Sequence, residues 1–377
     1  MTKEEFKVTP WEVSGNVDYL KLSKQFGTNI IDNELLSRIK KHTKDLHFML
    51  RRKIFFSHRD MNWILDEYEK GNNFFLYTGR GPSGYTHIGH LAPYVFTQWL
   101  QEKFGVEVLY QLTDDEKFLF KDSLSLENAN KLAHDNALDF IACGFNPKKT
   151  KILIDTENSN TLYPIALKFA KKITFSTAKA VFGFQNENNI GQIFYTSMQS
   201  APAVLPSVLA KENIPCLVPM GIDQDPHFRI TRDVASKLGW YKPAAIHKKM
   251  FPSLNGIGAM TAGVPATSIY VADTPELVKK KIGSAFSGGG ISLAEHKKHG
   301  GNPDVDVCYK FLEAFFEPND KKLTKIYNDY KSGKMPTSEL KSYTTEKINK
   351  YLKEHQKARV RAEKQVDKFM YKDQKSL

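Results

Sequence analysis

Phe74-Phe75-Leu76-Tyr77-Thr78-Gly79-Arg80-Gly81-Pro82-Ser83-Gly84-Tyr85-Thr86-His87-Ile88-Gly89-His90 carries the clearest structural signal in the sequence. Its first four residues form a short aromatic and apolar run, the glycines and proline that follow break it, and apolar residues return at helical spacing from residue 88 to 104. The pattern predicts strand, loop, helix. A helix start exposes unpaired backbone N–H groups and partial positive charge, so it favours phosphate, and a glycine there permits close approach to the backbone. His87 and His90, one turn apart at that point, can donate hydrogen bonds to phosphate oxygens as charge develops on them.

Working outward, residues 106–112, 152–154 and 216–218 supply further strand candidates, each separated by helix-like segments. This alternation predicts an α/β fold with a Rossmann-like, doubly wound parallel sheet. Residues 1–70 are mixed and charged and read as an appended segment. The catalytic domain is expected over 71–270, with an inserted helical connective segment at about 117–210. Past residue 270 strand signals fade, and 305–316, 321–330 and 337–370 read as helices, so 271–377 should be a helical domain. Ser287-Gly288-Gly289-Gly290 reads as a flexible connector.

With 377 residues, 41% of them hydrophobic, the chain is long enough for at least two domains. The formal net charge of +12 is uneven: residues 320–377 hold sixteen Lys and Arg against eight Asp and Glu. A polyanion would meet that end first, although a lysine-rich helix can also serve solubility alone. Three scattered cysteines, Cys143, Cys216 and Cys308, give neither a disulfide framework nor a cysteine-type zinc site. No signal-like segment or apolar run of about 18 residues occurs, so a cytoplasmic protein away from membranes is expected.

Tyr77-Thr78-Gly79-Arg80-Gly81-Pro82-Ser83 followed by His87-Ile88-Gly89-His90 resembles the first signature of class I aminoacyl-tRNA synthetases, and of the tryptophanyl enzymes of eukaryotic and archaeal type in particular. Gln111-Leu112-Thr113-Asp114-Asp115-Glu116-Lys117, Ile141-Ala142-Cys143-Gly144-Phe145, Gln199-Ser200-Ala201-Pro202, Gly221-Ile222-Asp223-Gln224-Asp225-Pro226 and Ala285-Phe286-Ser287-Gly288-Gly289 follow in that family's order. The resemblance implies an enzyme that activates tryptophan with ATP to an adenylate and passes it to tRNA, with the helical C-terminal domain reading the anticodon. It also implies a homodimer. Tyr77 and Gln111 match the positions that meet the indole nitrogen, and Glu116, Gln199 and Gln224 those that hold the ammonium and carboxylate. Thr78, Gly79, Gly81, His87, Gly89, His90 and Met260 match the ATP positions. Activation needs no protein nucleophile, only positioning and charge stabilisation, while an oriented acceptor for the single indole N–H provides discrimination. Mg²⁺ is expected with the ATP phosphates. Asp114, Asp115 and Glu116 are adjacent and point different ways, so they predict no protein-ligated metal.

The resemblance weakens at one place. Where the family carries its KMSKS loop, this chain reads Gly256-Ile257-Gly258-Ala259-Met260-Thr261-Ala262-Gly263-Val264-Pro265. Met260 and Thr261 keep the Met-Ser character and with the two histidines are the expected catalytic set, but Ala259 stands where the lysine belongs. Loss of one such donor typically costs on the order of 10² to 10³ in rate, so impaired activity is expected. Lys248 and Lys249 lie upstream as candidate substitutes, and the three glycines predict a looser loop. The alternative reading is a weak paralogue that binds tryptophan, tRNA or a protein without catalysis.

Overall fold

The computed structural model describes residues 7–8, 13–14 and 17–373. Seven strands form its main sheet: β1 (Asn29–Ile30), β2 (Phe55–Arg59), β3 (Phe75–Arg80), β4 (Glu107–Leu112), β5 (Thr150–Ile154), β6 (Cys216–Gly221) and β7 (Ala244–Lys248). Their spatial order is β1-β2-β7-β6-β3-β4-β5. β3 to β7 pair in parallel, whereas β1 and β2 join antiparallel at one edge. Within the parallel part the chain winds outward from β3 through β4 to β5, then returns to lay β6 on the other side of β3. That reversal opens a crevice at the carboxyl ends of β3 and β6, the ordinary ligand position in such sheets.

The helices that shape the crevice are α1 (Ile88–Phe104), α2 (Asp114–Phe120), α3 (Leu126–Ile141), α4 (Ile190–Met198) and α5 (Asp225–Lys237). Gly105, with φ of 67°, ends α1 in a left-handed conformation that glycine adopts without strain. Alternation along the strands splits the core: Phe74, Leu76, Val108 and Tyr110 face one layer, and Phe75, Tyr77, Leu109 and Leu153 face the other.

The structure departs from the sequence reading in three places. Residues 55–59, in the stretch read as appended, complete the sheet by pairing with β7. The strand candidate at 152–154 is present as edge strand β5, so the connective expected over about 117–210 is not helical throughout. The glycines at 288–290 are packed rather than loose: a Cβ on Gly289 would sit 2.1 Å from Thr337 Oγ1, and Gly288 N–H donates to Asp306 Oδ2 at 3.0 Å.

Beyond residue 270 come α6 (Pro275–Gly283), α7 (Asp320–Lys331) and α8 (Thr337–Glu363). They do not form a detached body. α8 packs on α3 and α6, and Leu340, Ile348, Leu352 and Phe369 share one continuous core with Leu76, Tyr110 and Phe140. Past α8 the chain pairs with β5, where Ile152 N donates to Phe369 O and Tyr371 N to Ile152 O, each at 2.8 Å. Among the described residues no helix is long and apolar enough to cross a membrane.

Candidate active site

The crevice is a cavity of about 330 Å³, lined from β3, β4, β6 and β7 and from the starts of α1 and α2. All of the residues matched to tryptophan, ATP or catalysis line it except Thr261, which is exposed. Two glycines make the close approach possible. A Cβ on Gly79 would lie 2.9 Å from Gln111 O, and one on Gly81 would lie 2.6 Å from Glu116 Oε2 and overlap the Lys117 side chain.

At one end stands a polar chain in an apolar wall. Tyr77 hydroxyl donates to Gln111 Oε1, and the Gln111 amide nitrogen donates to both oxygens of Asp155 at 2.8 and 2.9 Å. The amide nitrogen can only donate, so its paired contact with Asp155 fixes the amide orientation and turns the Gln111 carbonyl toward Tyr77. An amide oxygen has two lone pairs, which leaves one for an incoming N–H. Burial pushes the Tyr77 hydroxyl well above its ordinary pKa, so it stays protonated. Tyr195 donates to Gln199 Oε1 at 2.9 Å, and Thr113 to Glu116 Oε2 at 2.7 Å, presenting an amide and a carboxylate to the same space. Asp155 also shares a hydrogen bond with Asp115. Burial raises both carboxyls; the Asp115 charge adds to the rise at Asp155, whereas the hydrogen bond from Asp155 offsets part of it at Asp115.

At the other end, His87 and His90 stack with ring centroids 3.6 Å apart. His87 Nδ1 accepts from Gly89 N–H and His90 Nδ1 accepts from His87 N–H, both at 3.2 Å. Each ring is therefore the Nε2–H tautomer when neutral, with that proton free to meet an oxygen. Burial, reinforced by the Arg80 charge, holds both well below the ordinary histidine pKa, so they are neutral donors at pH 7. Arg80 itself braces the intervening loop, donating to Thr86 Oγ1 at 2.6 Å and to Gly84 O and Tyr85 O.

The segment after β7 turns back on itself. Pro252 bridges Ala259 in antiparallel fashion and Met260 N donates to Phe251 O at 2.9 Å. Gly256 and Gly258 have φ of 77° and 67°, so the turn uses them for left-handed geometry. Tyr270 hydroxyl and Ser268 Oγ then tether Ala262 O and Thr261 O, and the loop is more constrained than its glycine content implied. Ala259 and buried Met260 line the cavity near the histidines.

Sequence reasoning missed Asp155, Tyr195 and Arg80. Asp155 follows an ordinary strand, and nothing local marks it; only the β4 to β5 pairing, which sets Gln111 opposite Leu153, brings it near the cavity. Also unforeseen was the buried contact of Asp225 with Arg59, at 2.7 and 2.8 Å. Among the described residues no group of three or more His, Cys, Asp or Glu is placed to hold a metal ion.

Comparison with known proteins agrees with this geometry. The family model "tRNA synthetases class I (W and Y)" matches residues 69–353. The chain is 50% identical to the tryptophan–tRNA ligase of Sulfurisphaera tokodaii over 371 residues, covering 98% of this chain and 96% of that protein. It is equally 50% identical to the tryptophan–tRNA ligase of Pyrococcus furiosus, covering 98% and 95%. The crystal structure of Plasmodium falciparum tryptophanyl-tRNA synthetase superposes with a TM-score of 0.87 at 42% identity, covering 94% of this chain and 97% of that one. The Encephalitozoon cuniculi tryptophanyl-tRNA synthetase bound to tryptophan gives 0.86 at 36% identity, covering 95% and 99%. On sheet order, crevice and relatives together, the chain belongs to the tryptophanyl-tRNA synthetase family of class I aminoacyl-tRNA synthetases.

Proposed function

We propose that this protein joins tryptophan to ATP as tryptophanyl-adenylate and transfers the amino acid to tRNA(Trp). The observation that carries the reading is the Tyr77–Gln111–Asp155 chain, an oriented acceptor for one N–H set in an apolar wall. Glu116 and the two glutamines, Gln199 and Gln224, would hold the α-ammonium and carboxylate. The Nε2–H groups of His87 and His90, with the backbone around Thr78, Gly79, Gly81 and Gly89, would receive ATP, whose Mg²⁺ travels with its phosphates. Gln111→Ala should weaken tryptophan by about 1 to 3 kcal/mol, the range for stranding a buried donor. Calorimetric titration checks this, and an unchanged Kd would remove Gln111 from the pocket. Tyrosine should bind far more weakly than tryptophan in the same assay, since its single ring with a para hydroxyl sets its donor at a different place from the indole N–H.

For tRNA, the basic surplus of the C-terminal helices supports a phosphate-tracking face. Lys350, Lys353, Lys357 and Arg361 are exposed at spacings that share one side of α8. The double variant Lys350→Glu, Lys353→Glu should lower tRNA affinity and flatten its salt dependence by about two phosphate contacts, leaving tryptophan binding intact. Equal salt slopes in filter-binding assays would make these lysines solubility features. The family resemblance alone supports a homodimer. Ala259 favours a second reading, a weak or inactive paralogue that keeps tryptophan or tRNA binding.

A further inference from the structure

Of the two upstream lysines that could stand in for the absent loop lysine, Lys248 lies in the cavity. Lys248 is the last residue of β7 and pairs with Gly221 at the end of β6, so it emerges at the carboxyl edge where the crevice opens. It is only 5% exposed and lines the cavity together with His87, His90, Ala259 and Met260. Its ammonium donates to Lys249 O at 2.7 Å, and among the described residues no carboxylate lies within ion-pair distance of it. A buried cation satisfied only by a carbonyl is costly, and an arriving polyanion would relieve that cost.

We propose that Lys248 replaces the missing loop lysine of this chain, its ammonium contacting the ATP phosphates and stabilising the pyrophosphate as it leaves. The inference rests on tryptophan activation as read above. In that step a tryptophan carboxylate oxygen bonds to the α-phosphorus while the bond from that phosphorus to the bridging oxygen breaks. The electron pair departs on pyrophosphate, and no proton need be transferred. Negative charge grows on the leaving group, so a cation there acts on the transition state more than on bound substrate.

The neighbours favour Lys248 over Lys249. The Lys249 ammonium lies 5.7 Å from the centroid of the Tyr19 ring and lines a neighbouring cavity that Lys248 also borders, but of the two lysines Lys248 alone lines the crevice with the histidines. Lys248 lies where its charge lowers the pKa of both His87 and His90, which places its field at the phosphate end. Burial depresses its own pKa to about 8, opposed by the Asp223 carboxylate, and it remains largely protonated at neutral pH. A compact ammonium on a flexible four-carbon stem can turn from a carbonyl to a phosphate without moving the backbone.

The test is tryptophan-dependent exchange of labelled pyrophosphate into ATP by the full chain, its Lys248→Met and Lys248→Arg variants, and the double variant Lys248→Met, Ala259→Lys. Lys248→Met should lose on the order of 10² to 10³ in kcat while tryptophan Kd, from calorimetry, stays within about twofold. Lys248→Arg should retain most of the rate, and Ala259→Lys should recover much of it in the Lys248→Met background. Wild-type rate in Lys248→Met overturns the proposal. So does a loss accompanied by weakened tryptophan binding that neither Arg nor the lysine at 259 recovers, since that pattern belongs to a structural role. Absence of exchange by the unaltered chain would instead overturn tryptophan activation itself, and the Lys248 role with it.

Discussion

A chain ended at Ser284 should neither melt cooperatively nor bind tryptophan. The sequence reads the helices after residue 270 as a domain of their own. The packing argues otherwise. Cutting there removes Phe311, which stacks on Phe251 at 4.9 Å, and Phe251 in turn closes over Gly89 beside the two histidines. It removes the strand-like pairing of residues 369–371 with β5 and uncovers the apolar side of α3. It also strips Asp139 of its two C-terminal partners, leaving it a hydrogen bond from Thr86. That carboxylate is 1% exposed and meets His355 Nε2 at 3.2 Å and Arg359 Nη1 at 2.7 Å. Stripping both partners from one buried charge costs about 3 to 5 kcal/mol by itself, a large share of the roughly 5 to 15 kcal/mol that holds a domain folded. Circular dichroism melts and calorimetric titration check this. A sharp transition with near-native tryptophan affinity would show that the C-terminal helices are dispensable to the site.

Asp225→Ala should destabilise the protein by about 3 to 5 kcal/mol, more than any other single change described here. Asp225 is fully buried at the start of α5, one residue after Gln224. Arg59 grips it with two hydrogen bonds from β2, while the same guanidinium donates to Gly27 O at 3.0 Å and to Phe26 O. His247 Nε2 on β7 lies 3.1 Å away. Burial alone would raise the Asp225 carboxyl, but the bonds from Arg59 and His247 outweigh it and hold the pKa at about 2. Because the folded pKa lies below the unfolded value, the contribution is whole above roughly pH 4 and fades as pH falls toward 2. Urea titrations at pH 7 and pH 2.5 should therefore show a large gap between parent and variant at the first and a smaller one at the second. Equal stability at pH 7 would mean that the cluster is a surface ornament. The same lock fixes the segment carrying Gln224, so tryptophan affinity should fall in Asp225→Ala as well.

The central strands were legible because 74–77, 106–112, 152–154 and 216–218 are apolar runs bounded by breakers, and strands buried on both faces read that way. β1, β2 and β7 were not. Phe55-Phe56-Ser57-His58-Arg59 mixes aromatic with basic residues, and its strand character comes from pairing with β7, a partner nearly 190 positions away. Ala244-Ala245-Ile246-His247-Lys248 has weak strand propensity and is held by neighbours on both sides. In the site, the short motifs exposed the groups that face the cavity, since Gly79, Gly81 and the histidine pair sit on one continuous strand and helix start. What stands behind those groups was hidden. Asp155 orients Gln111 and Arg59 fixes the Gln224 loop from distant parts of the sequence, while Tyr195 orients Gln199 from one helical turn away in a segment that carries no motif of its own. The glycines at 288–290 misled for a related reason: composition suggests freedom, but here small size serves close packing against Thr337 and Tyr330.

The most direct test of the account is whether the full chain exchanges labelled pyrophosphate into ATP in the presence of each amino acid separately. Exchange should saturate with tryptophan, stay near background with tyrosine, and fall with Gln111→Ala mainly through the tryptophan KM. No exchange with tryptophan at saturating ATP and Mg²⁺, or equal exchange with tyrosine, would contradict it.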